Sequence, residues 1–488
     1  MYQTAPLPPA EDTGLDPFDR EAFRRTAHRA LDMALDDLEG VEAGPVWRAM
    51  PDAVRERFRA DLPRTGSDLD DLLEDARADI APFVTGNRHP LFMGWVHGAG
   101  TPVGMVAEML AAGWNANCGG RDHAGIAVER QVARWAADLF DFPDTASGIF
   151  VTGTSMANVL AVLIARTTAL GQEARRVGLG SARLAVYAAR GAHGCVAQAL
   201  DMAGIGTDAL RSIGTDADDA MRPDDLERAI AADRAEGIRP LLIVGTAGSV
   251  NTGAIDPLDA LADIAAREGI PFHIDGAFGA LVALSPELRP RLRGIGRADS
   301  IAFDFHKWAH VPYDAGFLLV RDGAAHRAAF SDANAYLQRA PRGIAAGDTW
   351  PCDLGPDLSR GFRAFKTWFA LRAFGTDRLG ASIARCCRVA EHLEARLAAS
   401  SLFEVVAPAR LNIVCWRLAD GPDALNAEIA MDLHESGLAV PSMTTIGGHP
   451  ALRAAIVNHR TTEAHIDGFL VDLERIARVR LASGISGG

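Results

Sequence analysis

Through the middle of the chain, short apolar runs alternate with longer stretches whose apolar residues recur at helical spacing. The runs 148–152, 184–188, 240–244, 271–274, 300–303 and 316–320 are predicted strands, and 155–169, 193–203, 222–236 and 257–268 are predicted helices. Arg222-Pro223-Asp224-Asp225 and Asp256-Pro257 set a proline early and acids in the first turn, which suits a helix start. Strands alternating with helices imply a mostly parallel sheet covered on both faces, so 91–375 is expected to be one large α/β domain. Residues 1–90 read as a leader followed by polar, amphipathic helices (16–38 and 68–80) with too few apolar positions for a core of their own. Residues 376–488 read as a smaller α+β unit, with helices at 379–397, 422–435 and 462–481 and strands at 411–416 and 452–457.

Composition narrows the class. The 488 residues are 48% hydrophobic, enough to bury large cores, and the formal net charge of −14 comes without a basic run, so no nucleic-acid partner is expected. Apolar stretches such as 159–165 fall far short of the roughly 18–20 residues of a membrane span. The acidic, proline-rich start MYQTAPLPPAEDTGLDPFD lacks signal-peptide character, so a soluble cytoplasmic protein is expected. The six cysteines show no CxxC spacing, and Cys386 beside Cys387 suits neither a simple disulfide nor a zinc site; buried, reduced thiols are expected. The fourteen histidines include no HExxH, so no catalytic metal is expected.

Only two of the 49 basic residues are lysines, Lys307 and Lys366. GC-rich codon usage accounts for the bias, yet chemistry that needs a side-chain primary amine has just these two candidates.

Ligands on open α/β sheets bind where strands end and loops lead into helices. Four polar clusters occupy such places. Thr152-Gly153-Thr154-Ser155 enters a helix, either as an ordinary cap or as a phosphate cradle of backbone N–H groups and hydroxyls. Asp275 ends an apolar strand, where it either caps the next turn or faces a cationic partner. Lys307 follows His306 at the end of another strand, a setting that depresses an amine's pKa and makes it nucleophilic. His193 follows the 184–188 strand and is either structural or a site residue. Pyridoxal phosphate requires this combination of phosphate cradle, carboxylate, stacking ring and lysine.

The chain carries the ordered motifs His89-Pro90-Leu91-Phe92, Thr101-Pro102-Val103, Thr154-Ser155-Met156-Ala157-Asn158, Ala192-His193, Asn251-Thr252-Gly253-Ala254-Ile255-Asp256-Pro257, His273-Ile274-Asp275-Gly276-Ala277 and Asp304-Phe305-His306-Lys307-Trp308, together with the runs 311–316 and 362–368, within a likeness that runs from about His89 to Thr461. In these the chain resembles the group II pyridoxal-phosphate-dependent amino-acid decarboxylases, which include aromatic-L-amino-acid, histidine and glutamate decarboxylases. The resemblance implies the fold-type-I PLP-dependent transferase fold: a large domain with a mostly parallel sheet, an N-terminal helical segment wrapping the partner of a homodimer, and a small C-terminal domain. It implies that Lys307 forms the Schiff base with pyridoxal 5'-phosphate, that Asp275 pairs with the pyridine nitrogen, and that His193 stacks on the ring near the substrate carboxylate. Thr154, Ser155, Asp304 and His306 match positions around the phosphate, with acidic Asp304 orienting other donors. Ala277 matches a small residue against the ring, and Ser249 a hydroxyl facing the phenolic oxygen. Trp95, His97, Trp114 and Asn117 match the pocket-forming stretch; Trp95 suggests room for aromatic contact whereas His97 could equally serve an acidic or polar side chain, and an aromatic L-amino acid is the favoured substrate. Lys366 lies among Phe362, Phe365, Phe369 and Ala373 at helical spacing, which makes it a solvated or helix-pairing lysine and leaves Lys307 as the amine.

The implied reaction is decarboxylation of an L-amino acid to the amine and CO2. One feature departs from the family: its mobile-loop tyrosine assists protonation of the α-carbon, but the expected loop, 340–358, contains none of the four tyrosines Tyr2, Tyr187, Tyr313 and Tyr336. Trp350 and Leu354 stand where an aromatic would be sought. Loss of that tyrosine can favour oxidative decarboxylation–deamination to an aldehyde. An aminotransferase or carbon–carbon lyase of the same fold would keep the same lysine, aspartate and cradle, whereas a cofactor-binding protein without activity would be expected to have lost them.

Overall fold

A computed structural model describes residues 14–331 and 338–485. The chain divides into two compact units, Met1–Gly44 with Arg48–Thr85 and Pro45–Trp47 with Gly86–Gly488.

Helices of the first unit are specified by capping and charge more than by burial. Asp19 caps Arg20–Glu39 by accepting from the Glu21 and Ala22 amides, and Asp68 caps Leu69–Asp75. The Thr26 hydroxyl ties the two helices through Asp70 at 2.8 Å. Among the unit's described residues only Thr26 and Val54 are buried, while Leu15, Phe18, Phe58 and Leu62 stand exposed.

The second unit is built on a seven-stranded sheet: β1 (Ser147–Val151), β2 (Leu184–Ala189), β3 (Leu210–Ile213), β4 (Arg239–Thr246), β5 (Phe272–Asp275), β6 (Ser300–Asp304) and β7 (Gly316–Val320), in the order β1-β7-β6-β5-β4-β2-β3. The β3-β2-β4-β5-β6 run is parallel, and β7 lies antiparallel to both β6 and β1. Strands β5, β6 and β7 are buried along their whole length, as expected for strands covered on both faces. Six of these strands lie where the apolar runs predict them. β3 was not anticipated, because Leu210-Arg211-Ser212-Ile213 is a short, partly solvated edge with little apolar signal.

A four-stranded antiparallel sheet follows, ordered β10-β11-β9-β8, from β8 (Phe403–Arg410), β9 (Ile413–Leu418), β10 (Ser442–Ile446) and β11 (His449–Ala455). Here too the strands missing from the sequence reading, β8 and β10, are the edges. The helix Arg363–Ala398 joins the two sheets and turns at Gly375, whose φ of 72° belongs to the left-handed region that favours glycine. Helical spacing over 362–375 and again over 379–397 predicts two helices that part near this glycine.

Candidate functional site

Strands β4, β5 and β6 are parallel, so their carboxyl ends open on the same edge of the sheet, and the residues just past them converge there. They line a cavity of about 440 Å³ with Thr154, Ser155, His193, Thr246, Asp275, Ala277, Asp304, His306 and Lys307. Lys307 sits on the short helix Phe305–Trp308 that leaves β6, with its Nζ 3.1 Å from Asp304 Oδ2. The other Asp304 oxygen accepts from the Thr154 amide at 2.7 Å. One buried carboxylate thereby fixes both the amine and the first turn of the helix Thr154–Leu170. His306 accepts the Ala315 amide at Nδ1 (3.0 Å), so its proton lies on Nε2; burial, the largest effect, pulls its pKa below the ordinary value.

Asp275 ends β5 and is 4% exposed, with no cation bonded to it among the described residues. Its Oδ2 accepts from Asn158 Nδ2 at 3.2 Å and from the Cys195 thiol at 3.6 Å, and its Oδ1 from the Ala277 amide at 3.3 Å. Burial first, then Asp275 itself, pushes the Cys195 thiol up to about 12, so it remains a donor. His193 lies on the exposed turn before the helix Cys195–Met202, its Nδ1 accepting the Cys195 amide at 3.1 Å.

Trp95 and His97 reach the cavity from the segment 91–98, which is pinned at close range. Gly98 packs so tightly on the backbone of the lysine helix that a Cβ there would lie 1.9 Å from the His306 carbonyl oxygen. Asn87 Nδ2 donates to the Gly98 carbonyl at 2.6 Å, and Arg453 to that of Trp95 at 3.2 Å. The rings of Phe92, His97 and Trp95 stack at 5.6 and 5.8 Å between neighbours. Burial and, less strongly, the Lys307 charge hold the His97 pKa below its ordinary value.

Other sequence candidates take different places. The Ser249 hydroxyl meets that of Thr252 at 3.1 Å, and Thr246 brings the buried, unpartnered hydroxyl on this side of the cavity. Asn117 is exposed and accepts the Gly119 and Arg360 amides at 3.0 and 3.1 Å; it does not line the cavity. Trp114 packs edge-on against Phe365 at 4.9 Å. Trp350 and Leu354 are core residues, with Trp350 under the guanidinium groups of Arg121 and Arg339. Lys366 is buried against Glu108 of the helix Pro102–Trp114, a helix pair and not a solvated lysine. Tyr2 and Tyr336 lie outside the described residues.

Tyr313, one of the four tyrosines outside the 340–358 segment, also lines the cavity, its ring 4.4 Å from that of His306. The residue is half exposed, yet its hydroxyl accepts the Gly98 amide at 3.3 Å and can itself donate, and partial desolvation raises the phenol to about 12. A separate hollow of about 480 Å³, bounded by Val132, Trp135, Leu281 and Phe303, presents almost no polar surface to orient a substrate.

The family model described as the pyridoxal-dependent decarboxylase conserved domain matches residues 51–419. The chain belongs to this family. It is 30% identical over 472 residues to an aromatic-L-amino-acid decarboxylase of Bacillus atrophaeus, covering 94% of this chain and 96% of the relative. It is likewise 30% identical to a phenylacetaldehyde synthase of Arabidopsis thaliana, covering 93% and 95%. Among solved structures, Oryza sativa TDC with PLP and tryptamine superposes with a TM-score of 0.88 at 26% identity, covering 95% of this chain and 99% of that one. The fold is that of the PLP-dependent decarboxylases, the cofactor is pyridoxal 5'-phosphate and the reaction class is amino-acid decarboxylation. The decarboxylase's cavity has the chemistry for that cofactor. Thr154 carries a buried hydroxyl without a partner among the described residues at a helix N-terminus, the carboxylate that accepts its amide also holds the Lys307 amine, and a buried carboxylate stands at the next strand end.

Proposed function

We propose that this decarboxylase acts on an aromatic L-amino acid and releases the amine and CO2, with Lys307 as the lysine that carries the cofactor. When bound, pyridoxal phosphate supplies an electron sink for the pair left as CO2 departs from the α-carbon. The phosphate is assigned to Thr154, Ser155 and His306, with Asp304 orienting the Thr154 amide and the Lys307 amine. Asp275 holds a proton on the ring nitrogen, Ala277 leaves space beside the ring, and His193 covers it. The tilted stack of Phe92, Trp95 and His97 offers an aromatic wall for the substrate side chain.

The observation that carries this reading is one cavity holding Lys307, Asp275 and the Thr154 helix start together. Its test is product analysis with L-tryptophan, L-tyrosine, L-phenylalanine and L-glutamate. The expected result is amine and CO2 in equal amounts from an aromatic substrate, with L-glutamate inert.

A second reading, oxidative conversion to an aldehyde with uptake of one oxygen and one water and release of ammonia, CO2 and hydrogen peroxide, is favoured by the tyrosine-free segment 340–358. Against it stands the Tyr313 hydroxyl, placed to donate a proton inside the cavity. Aldehyde and ammonia in place of amine from the wild type would overturn the amine reading. Tyr313→Phe is expected to lower amine formation by about tenfold or more.

We further assign three parts to the chain: an N-terminal segment to about residue 90, a cofactor domain to about 375 and a C-terminal domain. The apolar residues that the first unit leaves exposed support a homodimer in which this segment covers a second copy. Among the described residues no helix is long and apolar enough to cross a membrane, and all six cysteines are unpaired, which supports a cytoplasmic setting.

A further inference from the structure

Asp275 is the end of a longer polar chain that runs back through the sheet. Asn158 gives its Nδ2 to Asp275, and its Oδ1 lies 2.7 Å from His273 Nε2. The other ring nitrogen, His273 Nδ1, lies 2.7 Å from the Ser300 hydroxyl on the neighbouring strand. All four side chains are buried, His273 to 1% and Asn158 to 2% exposure.

Donor and acceptor roles along this chain follow from its end. An ionised carboxylate only accepts, so Asn158 must turn its amide N–H toward Asp275 and its carbonyl oxygen toward His273. His273 must then carry its proton on Nε2, and its bare Nδ1 accepts from Ser300. The reverse order would press the Asn158 oxygen against the carboxylate. Burial lowers the His273 pKa to about 3, so the imidazole is neutral and the chain works through dipoles with no charge to compensate. With Cys195 and the Ala277 amide, three donors serve a buried carboxylate that has no bonded cation among the described residues.

We propose that His273 is a positioning residue: through Asn158, and itself oriented by Ser300, it holds the Asp275 carboxylate fixed for the cofactor's ring nitrogen. The inference rests on the assignment of Asp275 to that nitrogen. A histidine two residues before the key carboxylate on the same strand thereby supports it from behind, because alternation turns both side chains to one face and Asn158 bridges them.

The test is titration of the cofactor-free chain with pyridoxal phosphate, followed by its absorbance band and by quenching of tryptophan fluorescence. His273→Leu is expected to weaken cofactor binding about tenfold or more and to shift the band. His273→Gln can still donate to Asn158 and accept from Ser300, and is expected to recover most of both signals. Ser300→Ala, a smaller change, is expected to weaken binding severalfold. Wild-type binding and spectrum in His273→Leu would overturn the proposal. So would a Gln variant as weak as the Leu variant while the two cofactor-free chains melt at the wild-type temperature. Asp275→Asn separates the levels: if it binds and absorbs as the wild type does, the assignment of Asp275 fails, whatever His273 does.

Discussion

The two lysines of the decarboxylase occupy regions that look alike in local chemistry and differ in what they face. Each Nζ is held by a carboxylate, Lys307 by Asp304 and Lys366 by Glu108. At the strand end the carboxylate is the buried partner, with Asp304 at 3% side-chain exposure and Lys307 at 20%, open to the cavity. Between the helices the arrangement is inverted, with Lys366 at 6% and Glu108 at 42%. A buried carboxylate holding an accessible amine is a reagent held in position. A buried amine held by an accessible carboxylate is a packing contact.

The largest expected effect is also the direct test of that contrast. Lys307→Ala removes the only amine facing the cavity among the described residues and is expected to abolish the visible cofactor absorbance and lower turnover by more than about 10³-fold. Lys366→Ala is expected to retain both, per mole of folded holoenzyme. Parallel purification, absorbance spectra and turnover assays of the two variants decide the matter; absorbance and turnover retained in Lys307→Ala would break the comparison at its root.

Smaller effects on stability should show the inversion between the helices. Glu108→Ala strands a buried ammonium, whereas Lys366→Met leaves a half-exposed carboxylate that water can serve and fills the space with an apolar chain. Glu108→Ala is therefore expected to cost about 2 kcal/mol or more, and Lys366→Met no more than about 1 kcal/mol. Adding Lys366→Met to Glu108→Ala is expected to restore stability. Denaturant unfolding of the three variants measures these differences, and an equal loss in both single variants would contradict the assigned roles.

Which parts of this could be read from the sequence has a physical logic. Strands buried on both faces announce themselves as apolar runs, so the central strands, and with them Asp275, Asp304 and Lys307 at their ends, were legible. Of the four edge strands only β1 was legible, as an apolar run; β8 carries Pro408 and alternates with solvent, and β10 reads Ser-Met-Thr-Thr-Ile with half its side chains in water. Asn158 was invisible as a site residue because it lies inside a predicted helix, and only the packing of that helix on β5 brings it to Asp275. Lys366 illustrates the converse. Helical spacing identified its setting, but its buried face depends on a helix, Pro102–Trp114, that the apolar pattern did not reveal. Thr246 ends a strand that was recognised, yet the choice between its hydroxyl and that of Ser249 depends on the turn after the strand.

The last effect concerns acid, and it separates the strand-end region from the packing around His326 on the helix Gly323–Phe330. Burial lowers His273 to about 3 and His326 to about 4. From about pH 6.5 down to those values the unfolded chain binds a proton at each position that the folded chain refuses, so stability falls as pH falls, by about 1.4 kcal/mol per pH unit for each histidine. Asp256 acts oppositely: burial raises it to about 6, and it recovers stability as pH drops from there toward its ordinary value of 3.8. Burial also lowers His97, His306, His310 and His459 and raises Asp299, so histidines outnumber the opposing aspartates and the net expectation is acid lability below pH 6.5. Replacing either His273 or His326 by glutamine should flatten the profile by one proton. His326 bonds Ser147 and the Leu354 carbonyl, away from the cavity, so His326→Gln should alter the slope and leave cofactor binding alone. His273→Gln should flatten the slope by the same amount while any loss it causes appears in cofactor affinity. Unfolding free energies at pH 5, 6 and 7, paired with cofactor titrations at pH 7, would show it, and an unchanged slope in both variants would mean that neither imidazole is held neutral by burial.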